Sequence, residues 1–264
     1  MSGSSAEQHY NRREQFTKRK RAELRTYALR KYNNAVKRTL INTYAKRGDT
    51  VWDNACGKGG DVLKWRDKAV KRVYFSDIAE QSVRTCNERY KELAEPKYAA
   101  QFVVCDMTEA TPFAMAAAVD AAYQMDVVSC QFALHYAFGT PKNAERALWN
   151  VSKALKVGGF FIGTVPDAER IAAFKSNSIC AVEFNKKKGT PPNAYLFTLE
   201  DAVDKCEEYL VPLNVLDTTA ESLGLKRRQW LPFSAVTTQG ADKLSPEELE
   251  VANLYRAFVF EKIR

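Results

Sequence analysis

An acidic strand followed by a glycine-rich turn is the part of this sequence best suited to chemistry. Residues 51 to 65 read Val51-Trp-Asp-Asn-Ala-Cys-Gly-Lys-Gly-Gly-Asp-Val-Leu-Lys-Trp65, which predicts a strand, a turn and the start of a helix. A second acid, Asp77, ends the next apolar run 24 residues after Asp53. This layout is typical of a β-α-β unit in which glycines let a nucleoside approach the backbone and the second acid binds ribose hydroxyls.

The turn differs from a dinucleotide-binding turn. It lacks the G-x-G-x-x-G pattern, and Ala55 stands where the first glycine of that pattern would be. A glycine turn flanked by acids suits adenosine without a pyrophosphate, and S-adenosylmethionine is the obvious candidate. The alternative is that the turn only connects a strand to a helix.

The setting of the turn favours a binding site. A third apolar run, Phe102-Val-Val-Cys-Asp106, also ends in an acid, and Gln131 lies near the end of a fourth. Ligands of open α/β sheets bind outside the carboxyl ends of the strands, so Asp53, Asp77, Asp106 and Gln131 are expected to converge on one edge.

Composition limits the class of protein. The chain has 264 residues, of which 45% are hydrophobic, and no apolar run approaches the length that spans a bilayer. Six cysteines form no C-x-x-C pair and only two histidines occur, so we expect no metal site. The sequence starts without the apolar segment of a secretory signal. We therefore expect an intracellular protein with reduced cysteines.

Positive charge is concentrated near the start of the chain. The net charge is +8, yet Arg12 to Arg38 holds eleven Lys or Arg against two Glu, which leaves the remainder at −1. A basic arm on a near-neutral domain predicts a polyanionic partner, with nucleic acid first and an anionic membrane second. The alternative is a solvated helix face that keeps the chain soluble.

Alternating strand and helix patterns predict a doubly wound, mostly parallel α/β sheet. Residues 12–46 are predicted to be a basic helical arm, residues 1–7 to be flexible, and 8–264 to form a single domain. The segment from Lys175 to Pro192 breaks this pattern and is predicted to be irregular, and Lys186-Lys-Lys-Gly-Thr-Pro-Pro-Asn193 is typical of an exposed loop. The predicted strands are Thr50–Asn54, Val73–Asp77, Gln101–Asp106, Asp126–Phe132 and Phe160–Val165, with an antiparallel pair at Lys226–Trp230 and Tyr255–Glu261, and the helices are Asp61–Lys71, Glu80–Leu93 and Asn143–Lys156.

Several segments together resemble the mRNA cap guanine-N7 methyltransferases. They run in order along the chain: Gln8-His9-Tyr10-Asn11, Leu24-Arg25, Tyr32-Asn33-Asn34-Ala35-Val36-Lys37, Cys56-Gly-Lys-Gly-Gly-Asp-Val-Leu-Lys-Trp65, Asp77-Ile-Ala79, Cys130-Gln-Phe-Ala-Leu-His-Tyr-Ala-Phe138, Gly158-Gly-Phe-Phe-Ile-Gly-Thr-Val-Pro166, Glu208-Tyr-Leu-Val211 and Tyr255-Arg-Ala-Phe-Val-Phe-Glu-Lys262. Ala55 departs from the family's glycine, and Trp52 departs from its usual aliphatic residue. The resemblance implies a seven-stranded methyltransferase sheet with helices on both faces.

The resemblance also implies two sets of site residues. The cofactor set has Lys37 at the methionine carboxylate, Asp77 at the ribose and Asp106 at the adenine, and it is completed by Asp53, Ala55, Gly57, Gln131 and Tyr136. The cap set places Lys58, Lys64 and Arg89 at the phosphates, His135 and Glu208 at the guanine and Phe132 and Tyr255 as aromatic walls, and it also includes Asn33, Asn34 and Pro166.

The chemistry implied by the resemblance needs no acid or base. Guanine N7 has a free lone pair and no proton to lose, so it can attack a sulfonium methyl directly. Positioning and electrostatics would come from His135, Glu208 and Tyr255. Without the resemblance, His135 after an apolar strand is often structural, and adjacent acids such as Glu207 and Glu208 are typical of a solvated face.

The expected partner is the capped 5′ end of mRNA in the nucleus, or in the cytoplasm if the protein is viral or parasite-specific. An RNA triphosphatase, a guanylyltransferase or RNA polymerase II are further possible partners, and no membrane or metal is expected. Two alternatives remain: a methyltransferase for another substrate, and a non-catalytic RNA-binding subunit with a degenerate cofactor pocket.

Overall fold

The computed structural model describes residues 23–95, 97–184, 191–236 and 243–264, and a seven-stranded sheet forms their centre. The strand order is β3-β2-β1-β4-β5-β10-β9. The strands are β1 Thr50–Asn54, β2 Arg72–Asp77, β3 Ala99–Val104, β4 Met125–Gln131, β5 Leu155–Pro166, β9 Leu225–Pro232 and β10 Tyr255–Lys262.

The first five strands in this order are parallel to one another, β9 runs in the same direction, and β10 is reversed. β10 runs antiparallel to both β5 and β9, which leaves β9 at the sheet edge. These observations confirm the predicted α/β sheet and the predicted antiparallel pair near the C-terminus. The intervening helices are α1 Tyr27–Tyr44, α2 Val62–Asp67, α3 Glu80–Lys91, α4 Pro112–Val119, α5 Pro141–Ala154, α6 Ala168–Ala173, α7 Leu213–Ser222 and α8 Pro246–Ala252.

Apolar side chains cover both faces of the sheet. Alternate residues of β1 show this: Val51 belongs to the cluster beneath α1 and α2, whereas Trp52 belongs to the cluster beneath α5. Strands buried on both faces have nearly continuous apolar sequences, which is why the parallel strands were recognisable along the chain. The sheet therefore gives a rigid edge on which the ends of β1, β2 and β4 are fixed.

The basic helical segment is not a detached arm in its described part. Within the described residues, α1 begins at Tyr27, and it buries Leu29, Val36, Leu40 and Ile41. These residues belong to the same apolar cluster as the strands, so the helix is integral to the core. Residues 1–22, which include the predicted flexible start and most of the basic run, lie outside the described residues.

A second, three-stranded antiparallel sheet follows β5 and α6 along the chain and was not predicted. It consists of β6 Cys180–Glu183, β7 Ala194–Leu199 and β8 Val203–Tyr209, paired in that order. The prediction of an irregular segment at 175–192 was therefore wrong for β6, while 185–190 lie outside the described residues. β8 carries Glu208, so this small sheet matters for the site.

Several predicted boundaries were displaced. α2 ends at Asp67 rather than Lys71, because Ala69 has a φ of 54° that interrupts the helix. β3 ends at Val104, which leaves Asp106 in the loop beyond the strand. α5 begins at Pro141 because Thr140 caps it by accepting from the Asn143 N–H at 3.2 Å. No helix in the described part of the chain is long and apolar enough to cross a membrane.

Candidate active site

A cavity of about 530 Å³ opens at the carboxyl ends of the parallel strands, where the topology predicts a ligand. It is lined by seven of the eight residues predicted to bind the cofactor, namely Lys37, Ala55, Gly57, Asp77, Asp106, Gln131 and Tyr136. Further lining residues come from the ends of β1 and β3, from the segment after β4 and from β8, among them Asn54, Cys105, Met107, Phe132, Asn143, Glu207 and Tyr209.

Asp77 holds the glycine turn against the end of β2. One carboxylate oxygen accepts from the Gly57 N–H at 2.8 Å, and the other accepts from the Ala79 N–H at 2.9 Å. Burial raises the pKa of Asp77, while these two donors lower it. Each carboxylate oxygen keeps a further lone pair, so Asp77 can still accept from hydroxyl groups of a ligand.

The turn itself has a strained backbone. Ala55 and Gly57 have φ values of 58° and 53°, in the left-handed region where a side chain is unfavourable. Open space surrounds the position of a Cβ at Gly57. The turn therefore exposes its backbone to the cavity, as a closely bound nucleoside requires.

Asp53 lies behind the cavity rather than on its surface. Its side chain is 2% exposed and accepts from the Trp65 indole N–H at 2.9 Å. Burial, together with the nearby charge of Asp61, raises the pKa of Asp53 to about 7. The structure thus gives Asp53 a supporting position beneath the turn, in place of the predicted contact with a cofactor.

Asp61 joins two lysines beside the turn, of which Lys64 is buried and Lys37 is half-buried. Its carboxylate lies 2.9 Å from the Lys37 ammonium and 2.6 Å from the Lys64 ammonium. Burial alone would raise the pKa of Asp61, but the two lysine charges outweigh it and lower the pKa to about 2. Lys37 reaches the cavity from this group, so Asp61 orients a predicted cofactor ligand.

Lys64 occupies a different environment from the one predicted. Its side chain is 5% exposed, and its ammonium donates to Asp61, to the Gly60 carbonyl at 2.9 Å and to the Asn34 side-chain oxygen at 3.1 Å. Its three donors are therefore occupied inside the protein. Lys64 fixes Asp61 and Asn34 rather than presenting a charge to the cavity.

A buried polar cluster lies next to the cavity, where β8 meets the segment after β4. The Glu208 residue is only 3% exposed. Its carboxylate accepts from the Tyr195 hydroxyl at 2.8 Å and from the Tyr136 hydroxyl at 3.3 Å. Its burial contradicts the solvated face expected from two adjacent acids. Tyr136 also lines the cavity, so the cluster and the cavity share a wall.

His135 is the least satisfied member of this cluster. Its Nε2 lies 3.4 Å from a Glu208 oxygen, but neither ring nitrogen makes a hydrogen bond among the described residues, although the residue is 2% exposed. Buried polar atoms without partners are costly, so this ring favours a ligand that offers it a hydrogen bond.

Three aromatic rings close the adjoining wall. The Phe132 ring meets the Tyr255 ring edge-on at 5.1 Å and the Phe233 ring at 5.8 Å. Phe132 has a φ of 58°, and its N–H donates to Thr164, which fixes the ring direction at the end of β4. Tyr255 pairs with Pro166 across β10 and β5, so the predicted aromatic walls and Pro166 are neighbours.

Among the predicted cap residues, only Phe132 lines the cavity. Lys58 is half-buried in the glycine turn, and Arg89 is half-buried on α3. Asn33 lies on α1 with a buried side-chain oxygen that has no hydrogen-bond partner among the described residues. Asn34, by contrast, is held by Lys64.

Sequence reasoning missed two residues that organise the site. Asp61 was visible as the acid after the glycine pair, but its two lysine partners come from α1 and α2 and could not be paired from spacing. Tyr195 lies on β7, whose register with β8 places it opposite Glu208. No local signal identified that strand.

The arrangement suits binding and orientation of an adenosine-bearing ligand beside a planar base. The described residues contain no group of three His, Cys, Asp or Glu that could hold a metal ion, and all six cysteines are free thiols. The acid Glu208 can accept from a planar donor edge, and the aromatic wall can contact a ring face.

Known proteins are similar in sequence to this chain along almost its whole length. A family model described as an mRNA (guanine-N(7))-methyltransferase domain matches residues 2–243. The chain is 35% identical over 259 residues to a protein of Saccharomyces cerevisiae named mRNA cap guanine-N(7) methyltransferase, covering 89% of this chain and 59% of that protein. A protein of Arabidopsis thaliana named mRNA cap guanine-N(7) methyltransferase 1 is 35% identical over 300 residues, covering 96% of this chain and 80% of that protein.

Solved structures share the fold at low identity. An S-adenosylmethionine-dependent methyltransferase from Clostridium acetobutylicum aligns with a TM-score of 0.57 at 13% identity, covering 88% of this chain and 91% of that chain. The CcbJ methyltransferase from Streptomyces caelestis aligns with a TM-score of 0.59 at 11% identity, covering 88% and 90%. These likenesses confirm the sheet architecture.

Proposed function

This chain belongs to the mRNA (guanine-N(7))-methyltransferase family, and we propose that it transfers a methyl group from S-adenosylmethionine to N7 of the guanine cap of mRNA. The chain spans 59% of the Saccharomyces cerevisiae relative and 72% of the Candida glabrata relative. The proposal therefore concerns the activity of this chain by itself.

The buried Glu208 cluster is the observation that carries the proposal. A guanine presents N1–H and N2–H₂ as adjacent donors, and a carboxylate fixed by two tyrosine hydroxyls can accept from both. Methylation of N7 makes the base cationic. A buried anion near the base stabilises that charge as it develops, and low local polarity strengthens the effect.

The residues of the cavity fit S-adenosylmethionine. Asp77 faces the cavity and can accept from ribose hydroxyls, while the Lys37 ammonium can meet the methionine carboxylate without leaving Asp61. Asp106 and Gln131 line the part of the cavity assigned to adenine and its approach. When bound, the cofactor supplies an electrophilic sulfonium methyl group.

Positioning is the main task of the protein in this reaction. Guanine N7 carries no proton, so no side chain has to act as a base. Phe132 and Tyr255 are held at the end of β4 and the start of β10, where they can contact the guanine face. Holding the nucleophile in line with the methyl group lowers the barrier by removing the entropy cost of alignment.

The triphosphate bridge is assigned to Lys58 and Arg89, and Asn33 and Asn34 on α1 are assigned to the cap as well. Both cations are half-buried, and neither lines the cofactor cavity, which is consistent with a separate phosphate path. Lys64 supports that path indirectly, because it donates to the Asn34 side chain.

Labelled cofactor and a cap dinucleotide provide the direct test. The protein is incubated with methyl-labelled S-adenosylmethionine and GpppA, and the product is digested to locate the label. We expect label at guanine N7. The matched control is m7GpppA, which should accept none. Label on adenosine, on ribose or equally on both substrates would contradict the proposal.

We further propose that residues 8–264 act as one domain in the nucleus. An apolar cluster shared by α1, the main sheet and β7 supports a single unit. The named relatives come from eukaryotes, which supports nuclear action on capped transcripts. An RNA triphosphatase, a guanylyltransferase or RNA polymerase II would then be the partners to examine by co-purification.

A further inference from the structure

A polar groove lies on the other side of the glycine turn from the cofactor cavity. Its volume is about 650 Å³, and it runs between α1 and the start of α2. It is lined by Lys31, Asn34, Ala35, Arg38, Thr39, Asn42, Thr43, Gly60, Leu63 and Lys64. None of these lining residues is acidic, and three of them are cationic.

One wall separates the groove from the cavity. Gly60 lines the groove, and a Cβ on it would lie 3.4 Å from the Lys37 ammonium, which belongs to the cavity. Asp61 lines the cavity, and its carboxylate binds Lys64, which lines the groove. A ligand in the groove would therefore lie beside the residues assigned to the cap and its cofactor.

The groove presents a regular row of polar side chains. Lys31, Asn34, Arg38 and Asn42 follow one another at three- or four-residue intervals on α1, which places them on one helix face. Arg38 and Asn42 are exposed, and Arg38 lies 3.1 Å from Asp67. Cations interleaved with amides and hydroxyls suit an anion that carries further acceptors along its length.

We propose that this groove binds the sugar–phosphate backbone of the RNA nucleotides that follow the cap. The proposal rests on the proposed function, because the cap has to occupy the neighbouring site. Lys31 and Arg38 would contact phosphates, and Asn42 and Thr43 would contact phosphates or ribose hydroxyls. Such contacts carry no base information, so recognition should be independent of RNA sequence.

The chemistry of the groove favours RNA over an apolar partner. Only Ala35 and Leu63 among its lining residues are apolar, and Leu63 is 50% exposed. Two apolar side chains at the edge of a cationic groove can contact ribose or base without forming a hydrophobic binding surface. An acidic protein segment is the competing occupant, and the experiment separates it from RNA.

The test compares two substrates and two double variants. K31A/R38A removes one lysine and one arginine from the groove. R146A/K153A removes the same charges from α5, where both side chains lie over the Trp149 ring beside the opposite apolar cluster. Each protein is assayed on GpppA and on a capped RNA of ten nucleotides, and its binding to uncapped RNA is measured by fluorescence anisotropy at several salt concentrations.

For K31A/R38A we expect KM for capped RNA to rise roughly three- to tenfold, while KM for GpppA stays unchanged. The slope of log affinity against log salt for uncapped RNA should become shallower by about 1.4, since each lost phosphate contact removes about 0.7. The control R146A/K153A should match the wild type in all three measurements.

Three outcomes would overturn the groove assignment. They are an equal rise of KM on both substrates, an unchanged KM for capped RNA in a folded variant, and competition by polyglutamate for the groove with no loss of RNA binding in K31A/R38A. Thermal melting by circular dichroism confirms folding. If no protein methylates GpppA, the proposed function fails, whereas the binding of uncapped RNA still decides the groove.

Discussion

Two buried carboxylates on opposite sides of the site are held in different ways. Asp61, beside the glycine turn, is 5% exposed and lies between the Lys37 and Lys64 ammonium groups. Glu208, on β8, is 3% exposed and is held by the Tyr195 and Tyr136 hydroxyls. Burial is the same, but only Asp61 has lysine partners at ion-pair distance in the described structure.

The difference indicates what each carboxylate is for. Asp61 is neutralised within the protein, so it serves to fix two lysines and the turn. Glu208 is oriented by neutral donors, which satisfy its oxygens without cancelling its charge. A carboxylate held in this way can still stabilise a positive charge that develops on a ligand. On the proposed function, the turn side would fix the turn and orient the cofactor, and the β8 side would face the reacting base.

The largest expected effect is on stability, from Asp61→Asn. The substitution leaves the buried Lys64 charge and the half-buried Lys37 charge close together without their counter-ion. Breaking a buried ion pair by removing one partner costs about 3–5 kcal/mol. Urea unfolding should show this loss in the free energy of unfolding, together with weaker cofactor binding.

The control for this variant is Asp67→Asn. Asp67 pairs with Arg38 and Arg66 on the surface, with a side chain that is 40% exposed. Exposed ion pairs contribute about 0–1 kcal/mol, so the control should be nearly as stable as the wild type. Equal losses of unfolding free energy in both variants would contradict the distinction between the buried Asp61 ion pairs and the surface Asp67 ion pairs.

Glu208→Gln should give the next largest effect, and on methylation rather than stability. The glutamine keeps the shape but turns one acceptor into a donor that faces guanine's own donors, and it removes the negative charge. Interactions of this kind contribute about 2.7–4 kcal/mol, so methylation of GpppA should fall by on the order of a hundredfold or more. Cofactor affinity, measured by calorimetry, should stay near that of the wild type.

Glu183→Gln is the matched control for Glu208. It makes the same chemical change on β6 of the same small sheet, at an exposed position. Its methylation rate should equal that of the wild type. Wild-type activity in folded Glu208→Gln would take Glu208 out of the site and leave the comparison with Asp61 without a functional meaning.

Asp77→Ala should affect the cofactor alone and by a smaller factor. Asp77 is expected to accept hydrogen bonds from the ribose hydroxyls, and the net loss of one such charge-assisted bond costs about 1.5–3 kcal/mol. Cofactor affinity should therefore fall by roughly tenfold or more, as calorimetry would show. KM for GpppA at saturating cofactor should be unchanged.

The interpretation of Asp77→Ala depends on whether the glycine turn keeps its conformation. Asp77 also accepts from the Gly57 and Ala79 N–H groups, so its removal can loosen the backbone. Asp77→Asn is the second variant, because its side-chain oxygen can keep one of those bonds. Unchanged cofactor affinity in both variants would contradict the assignment of Asp77 to the ribose.

The same comparison explains what the sequence could predict. On the turn side, Asp77 and Gln131 each end a parallel strand, and strand ends converge on one edge whatever the rest of the chain does. Strand periodicity and the glycine turn were therefore enough to predict where this cavity lies. The seven-stranded sheet followed from the same pattern together with the resemblance.

The β8 side depends on pairings between distant segments. Glu208 is buried only because β8 pairs with β7 and packs against the segment after β4, contacts that link residues 136, 195 and 208. Asp53 shows a related limit on the turn side. Alternation along β1 directs its side chain toward Trp65, and one acid in a strand does not reveal which face it occupies.

Asp53→Asn should have the smallest effect, and this effect is on the free energy of unfolding. The variant should differ little from the wild type at mildly acidic pH and become the more stable of the two as pH rises. Burial, with the Asp61 charge, raises the pKa of Asp53 from its ordinary value of 3.8 to about 7. Between these values the folded protein keeps a proton that the unfolded chain releases, so wild-type stability falls as pH rises from about 4 to about 7.

Asparagine resembles the protonated acid and can still accept from the Trp65 indole. Urea unfolding should therefore give variant and wild type within about 1 kcal/mol at pH 5, and a more stable variant at pH 8. Asp61 does not interfere, because its lowered pKa of about 2 means that its stabilising contribution is lost only as the solution becomes far more acidic. If the two proteins showed parallel stability between pH 5 and pH 8, the proton on Asp53 would be disproved, and the two aspartates beside the turn would carry the same charge.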